Sequence, residues 1–324
     1  MKQIKSKKAL EMSFSFIFAM IVGAAILVLA IYGVTNLIRN ADVSHGSVIS
    51  KEISIIVDPL QTNIESSREM SIELPQETRI KNKCYPYGDF GSQGLTSSVK
   101  GINDEYGKEG VEVSVSNKYL FTPEIMEGKK LYLFSKAFDF PFKIGDVIVV
   151  TSENYCFVRP PQHIDDEISR IKNSGGMQNI EINNSEEDCG NNSIKVCFED
   201  MCDISVFGTC VGCENEFEVG FVEKGNDKLY YSGNLIYGAI FSDGELYECN
   251  IKRMMKRLNY QGLLFMYESD IIAKQNCITG IDADIGVFVK ASGNLNNSIE
   301  LLSLRDMSES LNRKNSEAKG CELW

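Results

Sequence analysis

The chain has 324 residues, a formal net charge of −12, ten cysteines and two histidines. The acidic balance argues against nucleic acid as a partner, because phosphate binding needs clustered positive charge. Roughly 285 residues follow an N-terminal apolar stretch, which is enough for one large or two modest hydrophobic cores.

The N-terminal apolar stretch covers residues 12–38 and contains no charged side chain between Glu11 and Arg39. A helix of this length spans about 40 Å, which exceeds the ~30 Å hydrocarbon core of a bilayer. The stretch is about twice as long as the apolar region of a signal peptide, and no A-x-A cleavage site follows it. The sequence therefore predicts an uncleaved transmembrane helix over 12–38.

The charges that flank this helix predict its orientation. Four lysines precede it, whereas Arg39 and Asp42 follow it; the lysines are Lys2, Lys5, Lys7 and Lys8. Because basic residues favour the cytoplasmic side, residues 1–11 are predicted to be a cytoplasmic tail and residues 39–324 to be extracytoplasmic. The partners expected are the lipid bilayer and other membrane or filament subunits. A small-residue patch at Ala19 and Gly23 also favours helix–helix self-association.

All ten cysteines lie on the predicted outer side, where an even count is typical of up to five disulfides with undetermined pairing. They are Cys84, Cys156, Cys189, Cys197, Cys202, Cys210, Cys213, Cys249, Cys277 and Cys321. Cys210 and Cys213 form the single C-x-x-C, but the glutamates that follow would raise a thiol pKa, which favours a structural role over redox catalysis. The irregular spacings do not match a zinc ribbon, and no metal or cofactor is expected.

The outer region is predicted to be α+β and disulfide-stapled, with a β-rich first part at 39–172. Residues 51–60 fit either a strand or a continuing helix, and strand patterns follow from Val111. A short helix is expected at 161–174, with Asp165, Asp166 and Glu167 near its positive end. A polar segment at 173–192 is a candidate linker.

The second part, residues 193–324, is predicted to combine hairpins and helices. Hairpins are expected at 193–207, around the turn at 224–227, and around an Asp243-Gly244 turn. Other elements follow on the basis of apolar periodicity: a long helix near 250–276, a last strand at 287–295, and a C-terminal helix near 298–318.

No group of residues forms a recognisable catalytic constellation, so an enzyme is not expected. His45 and His163 lie far apart in sequence and lack hydrolase or zincin motifs. The acidic groups at 165–167 and at Asp282 and Asp284 do not complete a calcium loop, which favours solvated acids.

A basic stripe and three sequons complete the candidate features. The stripe, Lys252, Arg253, Lys256 and Arg257, fits either a solvated helix face, which we favour, or a contact with an acidic subunit or anionic surface. N-glycosylation is predicted at Asn183, Asn191 and Asn296.

The segment Lys7-Lys8-Ala9-Leu10-Glu11, leading directly into the apolar helix, resembles the start of archaeal type IV pilin-like precursors. The resemblance covers the first 38 residues and implies cleavage between Ala9 and Leu10, with the helix becoming a filament core. The Gly-Gln-x-Ser-style leader is absent, and Glu11 lies nearer the implied cut than the glutamate of bacterial pilins. The whole chain also resembles archaeal single-pass membrane proteins of uncharacterised function with a cysteine-containing outer domain.

These features favour a membrane-anchored extracytoplasmic protein with a structural or interaction role, such as a minor pilin-like or cell-surface assembly subunit. Two alternatives stay open. One is an extracytoplasmic thiol–disulfide oxidoreductase that uses the C-x-x-C, and the other is a ligand-binding or adhesin ectodomain.

Overall fold

One long N-terminal helix and two six-stranded sheets dominate the computed structural model, which describes residues 14–56, 68–101, 103–210 and 215–324. The helix, α1, runs from Phe14 to Ile56 without interruption. Its 43 residues correspond to a length of about 65 Å. The segment Ile17–Val34 has a mean hydropathy of 2.7 and is not buried, so it is long and apolar enough to cross a membrane. The ambiguous residues 51–56 are helical.

The first sheet is formed by the N-terminal strands of the β-rich domain. They are β1 (Arg68–Tyr85), β2 (Ser92–Val99), β3 (Val113–Ser116), β4 (Tyr119–Phe121), β5 (Ile125–Asp139) and β6 (Lys143–Thr151). Their spatial order is β3-β2-β1-β5-β6-β4, antiparallel except for the β4–β6 pair. Alternation along β5 places Leu131 and Leu133 in one buried cluster and Phe134 and Phe138 in another. Both faces of this sheet are therefore packed.

The C-terminal part of α1 packs on one face of this sheet. Ile49 and Ile53 are buried in the same cluster as Leu131. The Ser97 hydroxyl donates to the Gly46 carbonyl at 2.6 Å. A Cβ at Gly46 would lie 2.3 Å from the Ser97 carbonyl oxygen, so glycine permits this close approach. The apolar helix is thus fixed directly to the β-rich domain.

The second sheet follows in the chain. Its strands are β7 (Asn154–Val158), β8 (Ile180–Asn183), β9 (Ser193–Phe198), β10 (Ile204–Gly208), β11 (Val219–Lys224) and β12 (Asp227–Ser232). The order is β12-β11-β10-β9-β7-β8. Neighbouring strands from β8 to β10 are parallel, whereas β10, β11 and β12 pair antiparallel.

Five further helices accompany the sheets in the described residues: α2 (Gln162–Asn173), α3 (Leu235–Phe241), α4 (Gly244–Ala273), α5 (Asp282–Gly293) and α6 (Leu301–Glu317). Every residue of α3 is buried. Tyr237 of α3 packs edge-on against Phe134 of the first sheet at 5.1 Å between ring centroids, and Phe241 packs against Tyr155 of the second at 4.6 Å. The two sheets therefore share one hydrophobic core.

The α+β class, the apolar N-terminal helix and the predicted helices near 250–276 and 298–318 are confirmed, as is the hairpin around 224–227. The hairpin predicted at 193–207 is wrong, because β9 and β10 are parallel. An alternating apolar pattern does not encode strand direction. The candidate linker at 173–192 contributes β8 and the fully buried Met177 to the shared core.

Two other predictions in the second part are wrong. Asp243 precedes the first residue of α4 instead of forming a hairpin turn, since aspartate suits a helix N-terminus as well as a turn. The strand predicted at 287–295 overlaps α5, where Ile285, Phe288 and Ser292 are buried at helical spacing.

Candidate functional site

Four disulfides hold the β-rich domain together in the described residues. The pairs are Cys84–Cys249, Cys156–Cys189, Cys197–Cys202 and Cys277–Cys321. Among these four disulfides, Cys84–Cys249 has the largest sequence separation, 165 residues, and it joins β1 to α4. The predicted disulfide stapling is thereby confirmed for eight cysteines.

The C-x-x-C is described only in part. Cys210 is disulfide-bonded, whereas Cys213 lies outside the described residues. The oxidoreductase alternative for this motif stays a prediction.

The histidine and the acidic groups near α2 take part in local contacts. His163 Nε2 lies 2.9 Å from Asn215 Nδ2, and partial burial lowers the His163 pKa. Glu167 accepts from Lys136 Nζ and from the Tyr237 hydroxyl, both at 2.6 Å. The side chain of the other histidine, His45, lies outside the described part of the molecule. Glu167 therefore anchors α2 to β5 and α3.

The other acidic group, at the start of α5, also has an intramolecular partner. Asp284 forms an ion pair with Lys314 of α6. Within the described ranges, no cluster of three or more histidine, cysteine, aspartate or glutamate side chains is arranged to hold a metal ion.

The basic stripe on α4 is not the solvated face that the sequence favoured. Arg253 is fully buried. Its Nη1 donates to Gln93 Oε1 at 3.0 Å and to Asn250 Oδ1 at 2.9 Å. Its Nε donates to the Phe90 carbonyl at 3.2 Å. Lys256 Nζ donates to the Pro86 carbonyl at 2.5 Å. These side chains hold α4 against β2 and the β1–β2 connection, a long-range role that helical periodicity does not reveal.

The buried network around Arg253 continues into the first sheet. Gln93 both accepts from the Leu120 amide and donates to the Leu120 carbonyl, each at 2.8 Å. Asn250 Nδ2 donates to the same carbonyl at 2.8 Å. Burial lowers the Arg253 pKa to about 10. The network joins β2, β4 and α4 immediately beside the Cys84–Cys249 disulfide.

A polar cavity of about 390 Å³ opens between the edge of the first sheet and α4. We call it the β4–α4 cavity. Six polar side chains among its lining residues are Lys118, Tyr119, Lys143, Asp146, Arg257 and Gln261. The first two come from the start of β4, the next two from β6, and the last two from α4. Three basic groups therefore face one carboxylate, in a chain that is acidic overall.

Several contacts position these side chains. Lys143 Nζ pairs with Asp146 Oδ1 at 3.0 Å, and Gln261 Nε2 donates to the Lys143 carbonyl at 3.2 Å. Burial raises the pKa of Tyr119, an effect that the nearby Arg257 and Arg253 charges oppose, so its hydroxyl stays protonated at neutral pH. Most of the side chains that line the cavity thus carry hydrogen-bond donors, and these contacts hold several of them in place.

One link runs from this cavity to α1. Lys118 Nζ donates to the Ser54 carbonyl at 3.0 Å, in the last turn of α1. A cation at this position also interacts favourably with the negative end of the helix dipole. The cavity therefore borders the helix that carries the apolar segment.

A separate apolar surface lies on the C-terminal half of α4. Its members are 40–67% exposed and share one helix face; they are Tyr260, Leu263, Leu264, Tyr267 and Ile271. We call it the α4 stripe. Contiguous exposed apolar side chains of this kind are typical of interaction surfaces.

The three sequons differ in accessibility. Asn183 lies in β8, and its side chain donates to Cys156 Sγ at 3.3 Å and to the Asp188 carbonyl at 3.1 Å. Asn191 and Asn296 are exposed. Glycosylation stays a prediction for all three, with Asn183 the least available.

Comparison with models of known protein families finds no match for this chain, and comparisons with curated proteins and with solved structures find none either.

Sequence reasoning missed the β4–α4 cavity. Its lining comes from three elements that are distant in sequence, and neither Lys118 nor Lys143 lies in a recognisable motif. Arg257 was noticed only as part of the basic stripe.

Proposed function

We propose that this protein is a single-pass, membrane-anchored extracytoplasmic protein with a structural or interaction role at the cell surface. The proposal includes α1 crossing the bilayer with the N-terminal tail in the cytoplasm. In its specific form, the protein is a minor pilin-like or cell-surface assembly subunit.

The continuity of α1 is the observation that carries this proposal. Its segment Ile17–Val34 is apolar and exposed, whereas Ile49 and Ile53 of the same helix are buried in the β-rich domain. A signal peptide is removed after its apolar region, but here the helix continues into the domain core. This continuity favours a retained anchor that also fixes the orientation of the domain.

Two further features support an outward-facing interaction role. Disulfides form and persist in oxidising compartments, and four are present in the described residues. The exposed α4 stripe lies on the β-rich domain.

The test is to map the N-terminus of the protein isolated from membranes by mass spectrometry. A start at Leu10 supports prepilin-type processing and a filament role, and Ala9→Leu should then block the cut because that cut needs a small residue. A start at Met1 or Lys2 supports an ordinary signal-anchored protein. A start beyond residue 38, or recovery only from the soluble fraction, contradicts the anchoring.

The orientation is tested separately with external protease. Intact cells should lose the β-rich domain while a fragment containing α1 stays in the membrane. Protection of residues 39–324 in intact cells, with digestion only after permeabilisation, would show the opposite orientation.

A further inference from the structure

We propose that the β4–α4 cavity binds a small oxyanion ligand, meaning a small molecule that carries a phosphate or carboxylate group. This inference does not depend on membrane anchoring.

Charge is the first argument. Three basic side chains, Lys118, Lys143 and Arg257, line the cavity together with one carboxylate, Asp146. The chain as a whole carries a net charge of −12, so the basic lining of this cavity contrasts with the overall acidic balance. A concave site with one sign of charge concentrates counter-ions of the opposite sign.

The arrangement of donors is the second argument. The Asp146 carboxylate pairs with Lys143 at 3.0 Å, and Lys118 donates to the Ser54 carbonyl at 3.0 Å. Arg257 lies beside the buried Tyr119 hydroxyl. A guanidinium offers a planar set of donors that matches the oxygens of carboxylate or phosphate. The cavity thus contains the Arg257 guanidinium in addition to the Lys143–Asp146 ion pair.

A buried amide is the third argument. Gln261 Oε1 is buried against the cavity without a hydrogen-bond partner among the described side chains and backbone groups. Burying such an acceptor unpaired is unfavourable. A ligand hydroxyl, such as that of monohydrogen phosphate, would supply the donor.

The size of the cavity is compatible with a small ligand. Its volume of about 390 Å³ falls within the ordinary range of ligand pockets, roughly 300–1,000 Å³. Its lining is predominantly polar and charged, which suits a small anion better than an apolar molecule.

The experiment uses the full-length protein in mild detergent, titrated with inorganic phosphate or succinate against sodium chloride at equal ionic strength. We expect at least one of the two anions to raise the thermal unfolding midpoint, with saturable binding by calorimetry. Arg257→Gln should weaken that binding at least tenfold, whereas Lys252→Gln, which removes the same charge from α4 outside the cavity, should leave it within twofold.

The comparison between anions identifies the ligand class. A response to phosphate alone indicates a phosphate ligand, and a response to succinate alone indicates a carboxylate ligand. Arg257→Lys keeps the charge but loses the planar donors and should bind with intermediate affinity, which provides a second test if Arg257→Gln fails to fold. No response beyond that of sodium chloride, or equal loss in the Arg257 and Lys252 variants, would overturn the proposal.

Discussion

Replacing Arg253 with methionine tests whether the buried network on α4 stabilises the fold. Methionine preserves much of the side-chain volume but removes the guanidinium and its three hydrogen bonds to Phe90, Gln93 and Asn250. Gln93 Oε1 keeps the Leu120 amide as a donor at 2.8 Å. Among the described residues, Asn250 Oδ1 would keep a contact with Cys84 Sγ at 4.0 Å and no closer donor.

The magnitude follows from two opposing contributions. Three charge-assisted hydrogen bonds contribute roughly 4.5–9 kcal/mol. Burial of the charge opposes them: the lowering of the Arg253 pKa from 12.5 to about 10 corresponds to roughly 3 kcal/mol. We therefore expect Arg253→Met to lower the free energy of unfolding by about 3 kcal/mol.

Guanidinium chloride unfolding of the full-length protein, with disulfides intact, measures this change. Trp324 is the single tryptophan and packs against Phe142 and Phe265 at 5.4 and 5.3 Å between ring centroids, so its fluorescence reports on the core. Lys252→Met is the matched control and should change stability by less than about 0.5 kcal/mol. Apolar replacement of a buried charge can be neutral when desolvation offsets the hydrogen bonds. An Arg253→Met variant as stable as the wild type would show that this is so here and would refute the reasoning.

Three further predictions concern separate parts of the fold. Replacing both Cys84 and Cys249 with alanine should lower stability by up to about 5 kcal/mol, since the disulfide closes a loop with a sequence separation of 165 residues. Burial raises the pKa of Glu248 above its ordinary value of 4.5, so above that pH the folded state binds more protons than the unfolded state. The stability of the wild type relative to Glu248→Gln should therefore fall as the pH rises from about 4 to about 7. Leu264→Ser in the α4 stripe should change stability by less than about 0.5 kcal/mol, whereas Leu258→Ser at a fully buried site should cost at least 2 kcal/mol.

Each of these predictions has a control or a contradicting outcome. For the long disulfide, removal of Cys197–Cys202, with a separation of 5 residues, should cost about 2 kcal/mol; an equal loss would exclude loop closure as the cause. For Glu248, urea unfolding at several pH values would contradict the sign if the wild type gained stability over the variant as pH rose. For the stripe, a large loss in Leu264→Ser would mean that this face is structural.

The sequence predicted those features that depend on local pattern. Absence of charge over 12–38 predicted the apolar helix, although not its continuation to Ile56, because the run after residue 50 fitted two structures equally. The position of the cysteines predicted disulfides but not their pairing, since Cys84 and Cys249 meet only after the first sheet and α4 have packed.

Long-range contacts account for what the sequence did not predict. Arg253 follows Lys252 in one basic run, yet it is buried because Gln93 of β2 and the Phe90 carbonyl of the β1–β2 connection contact it. The β4–α4 cavity likewise exists only where β4, β6 and α4 come together. Patterns along a single helix or strand contain no information about such partners.

The covalent pairing also determines how the chain would respond to tension between its two ends. A force entering at Ile56 and leaving at Trp324 would pass from Cys84 directly to Cys249, and from Cys277 directly to Cys321. Fully extended, the residues between Cys84 and Cys249 would provide about 560 Å of contour at ~3.4 Å per residue. While the disulfides are intact, none of that length can be drawn out. The strands from β2 to β12 and the buried helix α3 lie within this loop and are therefore mechanically shielded, whereas nearly all of β1 precedes Cys84 and carries the load. Only reduction of the disulfides would release the length of the loop.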